Sequence, residues 1–196
     1  MSNSATTDPR PLYRAAQAWV LDLLAGVAPD QYELPTPCTD WDVRTLCAHH
    51  VGTVERARVI GAGALPDSVS SIAPAAPDDR WADAYQEAAK RQWEIWDDDA
   101  VLTRTVTVPW GVVAGADALV GYVREALVHG WDLAVATGQA SEADPEIVGP
   151  VLRTSIEFLP AGIRVAAGVP FAEPVESPAT AGATEQLANW FGHARR

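Results

Sequence analysis

The chain has 196 residues, 48% of them apolar, which is enough for one sizeable hydrophobic core and argues against wholesale disorder. Its formal net charge of -12 comes without any basic patch, which excludes a nucleic-acid backbone as partner. No stretch approaches the roughly 20 apolar residues that span a bilayer, so no membrane partner is expected.

The N-terminus, MSNSATTDPRP, lacks the basic and apolar segments of a secretory signal. The only cysteines, Cys38 and Cys47, make a poor disulfide framework, and both features fit a reducing, cytoplasmic compartment. Residues 1–9 are polar and expected to be a flexible N-terminus. PLYRAAQAWVLDLLAGV then places Leu12, Ala15, Ala16, Trp19, Leu23 and Val27 at spacings of three and four. That is an amphipathic helix, opened near Pro11 and stopped around Gly26 to Pro29. A proline-punctuated loop, QYELPTPC, follows.

In TDWDVRTLCAHHVGTVERARVIGAG, Thr39 and Asp42 are expected to form the capping box of a second helix. It runs to about Ile60 and ends at Gly61 and Gly63. PDSVSSIAPAAPDD is a long connection. A third helix is predicted over roughly residues 79–97, with the acidic run Asp97 to Asp99 outside it, because negative charge opposes the dipole at that end. TRTVTVPWG alternates threonine with valine and reads as a short strand or extended arm ending at Pro109.

The fourth helix starts near Gly115 or Asp117 and stops at Gly138. A further helix in ADPEIVGPVLRTSIEFLPAGI is limited or interrupted by Pro150 and Pro160, residues 168–182 should be extended or looped, and TEQLANWFGH closes the chain. The expected fold is all-α: an antiparallel four-helix bundle with a short extended arm and a small C-terminal extension. Residues 10–196 would form one domain, with 140–196 packed on the bundle as the extension. In such bundles inward-facing side chains build ligand sites.

On the fourth helix, Ala118, Tyr122, Glu125, His129, Leu133 and Ala136 share one stripe, so Glu125 and His129 fall in the middle of a face that should be buried. They are either an ion pair in a wet cleft or two ligands of one ion, which would need a third group from another helix. The second helix offers His49 and His50, about 100 degrees apart. Periodicity favours His50, which lies with Val43, Cys47, Val54 and Ala57, over His49 on the sparser stripe of Leu46, Thr53 and Ile60. Cys47 is a softer candidate ligand, and Cys38 reads as a packed free thiol. Arg44 and Arg124 are candidates for recognising a carboxylate or for solvated pairing, and Asp132 for supporting a ligand histidine. Trp41 and Trp131 read as core residues or pocket walls.

TPCTDWDVRTLCAHHVG and REALVHGWDLAVATGQ together resemble the metal-binding N-terminal domain of mycothiol-dependent maleylpyruvate isomerases, within the wider DinB-like bundle superfamily. The first motif falls on Thr36, Pro37, Cys38, Trp41, Arg44, Leu46, His49 and Gly52. The second falls on Glu125, His129, Trp131, Asp132, Leu133 and Ala134. The resemblance implies a DinB-like bundle and a divalent ion held by His49, Glu125 and His129. It selects His49 over His50, where relatives commonly carry leucine. The closing LANWFGH also resembles the family's tail, but His193 stands where arginine is common.

Two imidazoles and a carboxylate suit zinc first, and also nickel, iron or manganese when water fills further positions. The implied function is a metal-dependent transferase or isomerase that uses mycothiol or another low-molecular-weight thiol and acts on a small electrophile. The alternative is a non-catalytic metal-binding scaffold or sensor. Catalytic members of the family add a further C-terminal domain, and the short extension here makes the maleylpyruvate reaction itself unexpected. Both a monomer and a homodimer are compatible with the sequence.

Overall fold

The computed structural model describes residues 8–160 and 172–195. Helix α1 (Arg10–Ala25) carries Pro11 in its first turn, where the missing N–H has no helical partner to lose. Helix α2 (Val43–Gly61) corrects the expected capping box. Asp42 is itself the N-cap, accepting from the Thr45 N–H at 2.7 Å, and Thr39 lies in the preceding turn. Helix α3 (Trp81–Trp96) follows a single 3₁₀ turn at Asp78–Arg80.

The acidic run lies beyond the end of α3, as expected. Asp98 caps a short helix α4 (Asp99–Thr103) by accepting from the Ala100 N–H, and Arg10 of α1 reaches Asp99 at 2.7 Å. Asp99 thereby stands in a first turn, where negative charge suits the dipole. The arm is a hairpin rather than one strand. Strand β1 (Thr105–Val108) pairs antiparallel with β2 (Gly111–Ala114), Val108 opposite Gly111, so Pro109 and Trp110 form the tip.

Helix α5 (Gly115–Thr137) ends at Gly138, whose φ of 69° is the left-handed stop expected of a C-terminal glycine. Helix α6 (Pro145–Phe158) continues through Pro150, which forfeits one backbone hydrogen bond. Pro160 follows its end. Helix α7 (Ala183–Trp190) is the closing helix. Residues 172–182 are irregular, as expected; the remainder of the predicted 168–182 segment and residues 1–7 lie outside the described residues.

Helices α1 and α2 each pack against both α3 and α5, which makes the expected four-helix bundle. α7 packs on α5 and α6, and the hairpin lies against α5. α5 is therefore covered on almost every side, which is why it reads as apolar nearly all round. Trp81, Trp96, Trp131, Tyr13, Tyr85 and Tyr122 are fully buried, each contributing on the order of 1.5–3 kcal/mol of apolar transfer. Among the described residues no helix is long and apolar enough to cross a membrane.

Candidate metal centre

The Thr-Pro-Cys motif is a loop that closes on itself. Thr36 Oγ1 donates to the carbonyls of Cys38 at 3.0 Å and Trp41 at 2.9 Å, and Pro35 bridges to Asp42. Asp40 takes the left-handed turn at φ 71°, a conformation that aspartate tolerates. The loop sets the Trp41 indole over two imidazoles, with ring centroids 4.6 Å from His49 and 5.8 Å from His129. Trp41 is thus a wall of the site, while Trp131 is buried core.

The site itself forms where α2 meets α5. Glu125 Oε2 lies 3.7 Å from Nε2 of His49 and 3.7 Å from Nε2 of His129. The three side chains bring their donor atoms into one cluster able to hold a metal ion. His50 turns the other way. It is buried against Tyr85 of α3 at 6.3 Å between centroids, so the periodicity that favoured it marked a core position.

Asp132, one turn beyond His129, accepts its Nδ1–H at 3.0 Å and is completely buried. The same carboxylate accepts His193 Nδ1–H at 2.8 Å. Gly192, at φ 88°, turns the chain after α7 and delivers that histidine; a Cβ there would meet Ala172. With Nδ1 tied to Asp132, His129 can present only Nε2 to Glu125.

The electrostatics divide the cluster. Burial opposes the charge on Glu125, but the His49 imidazole and the charge of His129 outweigh it and hold its carboxyl at about 2. Burial and then the neighbouring His129 push His49 below the ordinary histidine value. For His129 burial pulls the same way, yet Asp132 and Glu125 prevail and raise it. Burial brings His50 down to about 3. The result is an ionised carboxylate, a neutral His49 and a proton-attracting His129.

Several residues gained or lost a role. Arg44 forms a two-pronged pair with Asp78 at 2.9 and 2.8 Å and is structural. Cys47 is fully buried, and burial pushes its thiol up to about 12, which rules it out as a ready nucleophile. Cys38 lies nearer the chemistry than expected, its sulfur within 4.8 Å of donor atoms of His129 and Asp132. His193 and Trp110 are further neighbours of the cluster that sequence reasoning did not place there. Trp110 folds from the hairpin tip onto Gly121, where a Cβ would overlap its ring, and packs against Tyr122 at 5.7 Å.

Glu125 lines two sizeable cavities among the described residues. One, of about 190 Å³, is walled by His49, Thr53, Arg56, Trp110 and Tyr122. The other, of about 310 Å³, is walled by Arg124, His129, Phe191 and His193. Within the first, the Tyr122 hydroxyl and Arg56 Nε have no hydrogen-bond partner among the described residues.

The model of the mycothiol maleylpyruvate isomerase N-terminal domain family matches residues 13–134. Two uncharacterised proteins of Mycobacterium tuberculosis, Rv0738 and MT0763, are each 33% identical over 189 residues, spanning 96% of this chain and all of theirs. Among solved structures, a crystal structure of the mycothiol-dependent maleylpyruvate isomerase superposes with a TM-score of 0.58 at 16% identity, over 78% of this chain and 67% of that one. A histidine-to-alanine mutant of such an isomerase gives 0.59 at 15% identity, with the same coverage. At that identity the likeness concerns the fold.

Proposed function

Because the chain belongs to the mycothiol maleylpyruvate isomerase N-terminal domain family, we propose that it is a divalent-metal protein that brings a low-molecular-weight thiol to a small electrophile. His49, Glu125 and His129 are its ligands. The observation that carries this reading is the pair of equal 3.7 Å separations between Glu125 Oε2 and the two imidazole nitrogens. Ligand atoms at zinc–nitrogen and zinc–oxygen distances near 2.1 Å around a tetrahedral ion stand about 3.4 Å apart, so both Glu125 separations lie within a few tenths of an ångström of that value. The donor set fits as well: an ionised carboxylate, a neutral imidazole, and an imidazole whose far nitrogen is fixed by Asp132.

Zinc suits this set first, with nickel, iron and manganese as alternatives. A bound divalent ion supplies Lewis acidity, favouring thiolate over thiol and polarising a carbonyl. The chain's residues do the rest. Asp132 holds the His129 ring in orientation, Trp41 covers both imidazoles, and the cavities beside Glu125 admit partners. Three protein ligands leave a coordination position for an incoming group. Mycothiol is the thiol that the family's name favours. We take residues 10–196 as one metal-binding domain, with 140–196 as its packed extension, working in the cytoplasm. The test is turnover: zinc-loaded protein should form a mycothiol adduct with an electrophile from a broad panel, followed by mass. Metal binding with no adduct across the panel would favour a scaffold or sensor instead.

A further inference from the structure

Arg124 precedes Glu125 on α5 and is only 6% exposed. Among the described residues it makes no hydrogen bond and no close ion pair, although the charge of neighbouring Glu125 acts on it. Three aromatic faces surround its guanidinium instead, Trp110 at 5.7 Å and Phe158 and Phe191 each at 5.1 Å. Arginine carries five N–H donors, and aromatic faces offset only part of the loss of water around them. A methionine would fill the same aromatic surround without that loss, so packing alone does not explain a cation here.

What distinguishes this cation is where it opens. Arg124 lines the cavity of about 310 Å³ that also exposes Glu125, His129 and His193, and a second of about 320 Å³ beside Trp110 and Phe158. We propose that Arg124 is an anion subsite of the centre, binding the carboxylate of a small planar molecule in the cavity it shares with Glu125 and His129. That this molecule is also the electrophile rests on the metal-thiol reading above; its binding does not.

The choice of a carboxylate follows from shape and charge. The planar guanidinium fork matches a planar carboxylate with two parallel hydrogen bonds. The flat walls of Trp110, Phe158 and Phe191 favour a planar, delocalised body attached to it. A single guanidinium carries one positive charge, which one carboxylate neutralises and a doubly charged phosphate exceeds.

Calorimetric titration of the full-length protein tests this with benzoate, its neutral isostere benzamide, and inorganic phosphate. The measurement is made on metal-loaded and metal-free samples whose metal content is known from elemental analysis. Benzoate should bind saturably, and benzamide and phosphate at least tenfold more weakly. R124M, which keeps an unbranched apolar stem among the rings, should weaken benzoate at least tenfold at unchanged metal content, and R124K should fall between. Equal affinity for benzoate and benzamide, tighter binding of phosphate, or an R124M protein that binds benzoate like the parent would overturn the assignment. The amide comparison uses the unaltered chain and so does not depend on whether a variant folds. Arginine-dependent benzoate binding by a protein that takes up no metal would sink the metal reading and leave the anion subsite standing.

Discussion

Asp132 accepts the Nδ1–H of His129 at 3.0 Å from a position with no solvent exposure, and it holds His193 in the same way at 2.8 Å. One carboxylate thus fixes two imidazoles that come from different parts of the chain. Replacing it with its amide, D132N, keeps the shape and removes the charge. Metal affinity should fall about 10–100-fold, the usual cost of losing a partner behind a ligand histidine. H193A should cost less, because the His129–Asp132 bond survives. Competition of both variants with a chromophoric chelator measures the two losses, and an unaffected D132N would remove Asp132 from the account.

The adjacent histidines separate ligand from packing. H49A should weaken metal binding by more than D132N does, because it removes a donor atom. H50A should retain the metal and instead lose about 2 kcal/mol of stability, since it empties a fully enclosed position beside Tyr85. Metal titration and denaturant unfolding of the two proteins read these effects independently. The reverse pattern would show that helix periodicity had identified the ligand.

The pH dependence follows from the unequal imidazoles. His129 is raised above the ordinary histidine value, whereas His49 is lowered and Glu125 stays ionised down to about 2. Metal binding near neutrality should therefore displace one proton, from His129. Apparent affinity should fall about tenfold per pH unit below the His129 pKa and level off above it. In the metal-free protein the same raised value stabilises the fold below the ordinary histidine pKa, and that contribution is lost as pH rises through the folded one. A slope of two protons near neutrality in chelator-competition titrations would contradict this division.

Access of an exogenous thiol is readable in cobalt-substituted protein. Added mycothiol should produce a near-ultraviolet sulfur-to-cobalt charge-transfer band and change the visible spectrum. Because Cys38 lies within 4.8 Å of donor atoms of His129 and Asp132, the measurement belongs in a C38S background, where the protein's own sulfur cannot supply the band. The band should disappear in H49A, E125A and H129A and persist when Cys47 is replaced. A spectrum indifferent to thiols would remove the thiol-transfer mechanism.

The bundle was legible because α1, α2 and α5 state their boundaries locally, through Pro11, the Asp42 cap and the stops at Gly26 and Gly138, while α3 shows itself by the helical spacing of its buried aromatics. The hairpin was half legible. TVTV alternates, but GVVA has neither alternation nor a turn signature beyond Pro109 and Gly111, so its identity depends on pairing with β1. Glu125 and His129 stood out through helical spacing. His49 did not, because a stripe on a single helix cannot say whether it faces α5 or α3; the family motif supplied that choice. His193 and Trp110 reach the site only through tertiary folding, across α7 and the hairpin tip. The family-like tail drew attention to His193 without placing it beside Asp132, and nothing in the local sequence marks Trp110.

The central claim is that His49, Glu125 and His129 hold one divalent ion. Elemental analysis of untagged protein, purified without chelator and then exposed in turn to zinc, nickel, iron and manganese, tests it most directly. The account predicts close to one ion per folded chain, and loss of that ion from E125A. A well-folded preparation that stays metal-free after all four exposures would contradict it.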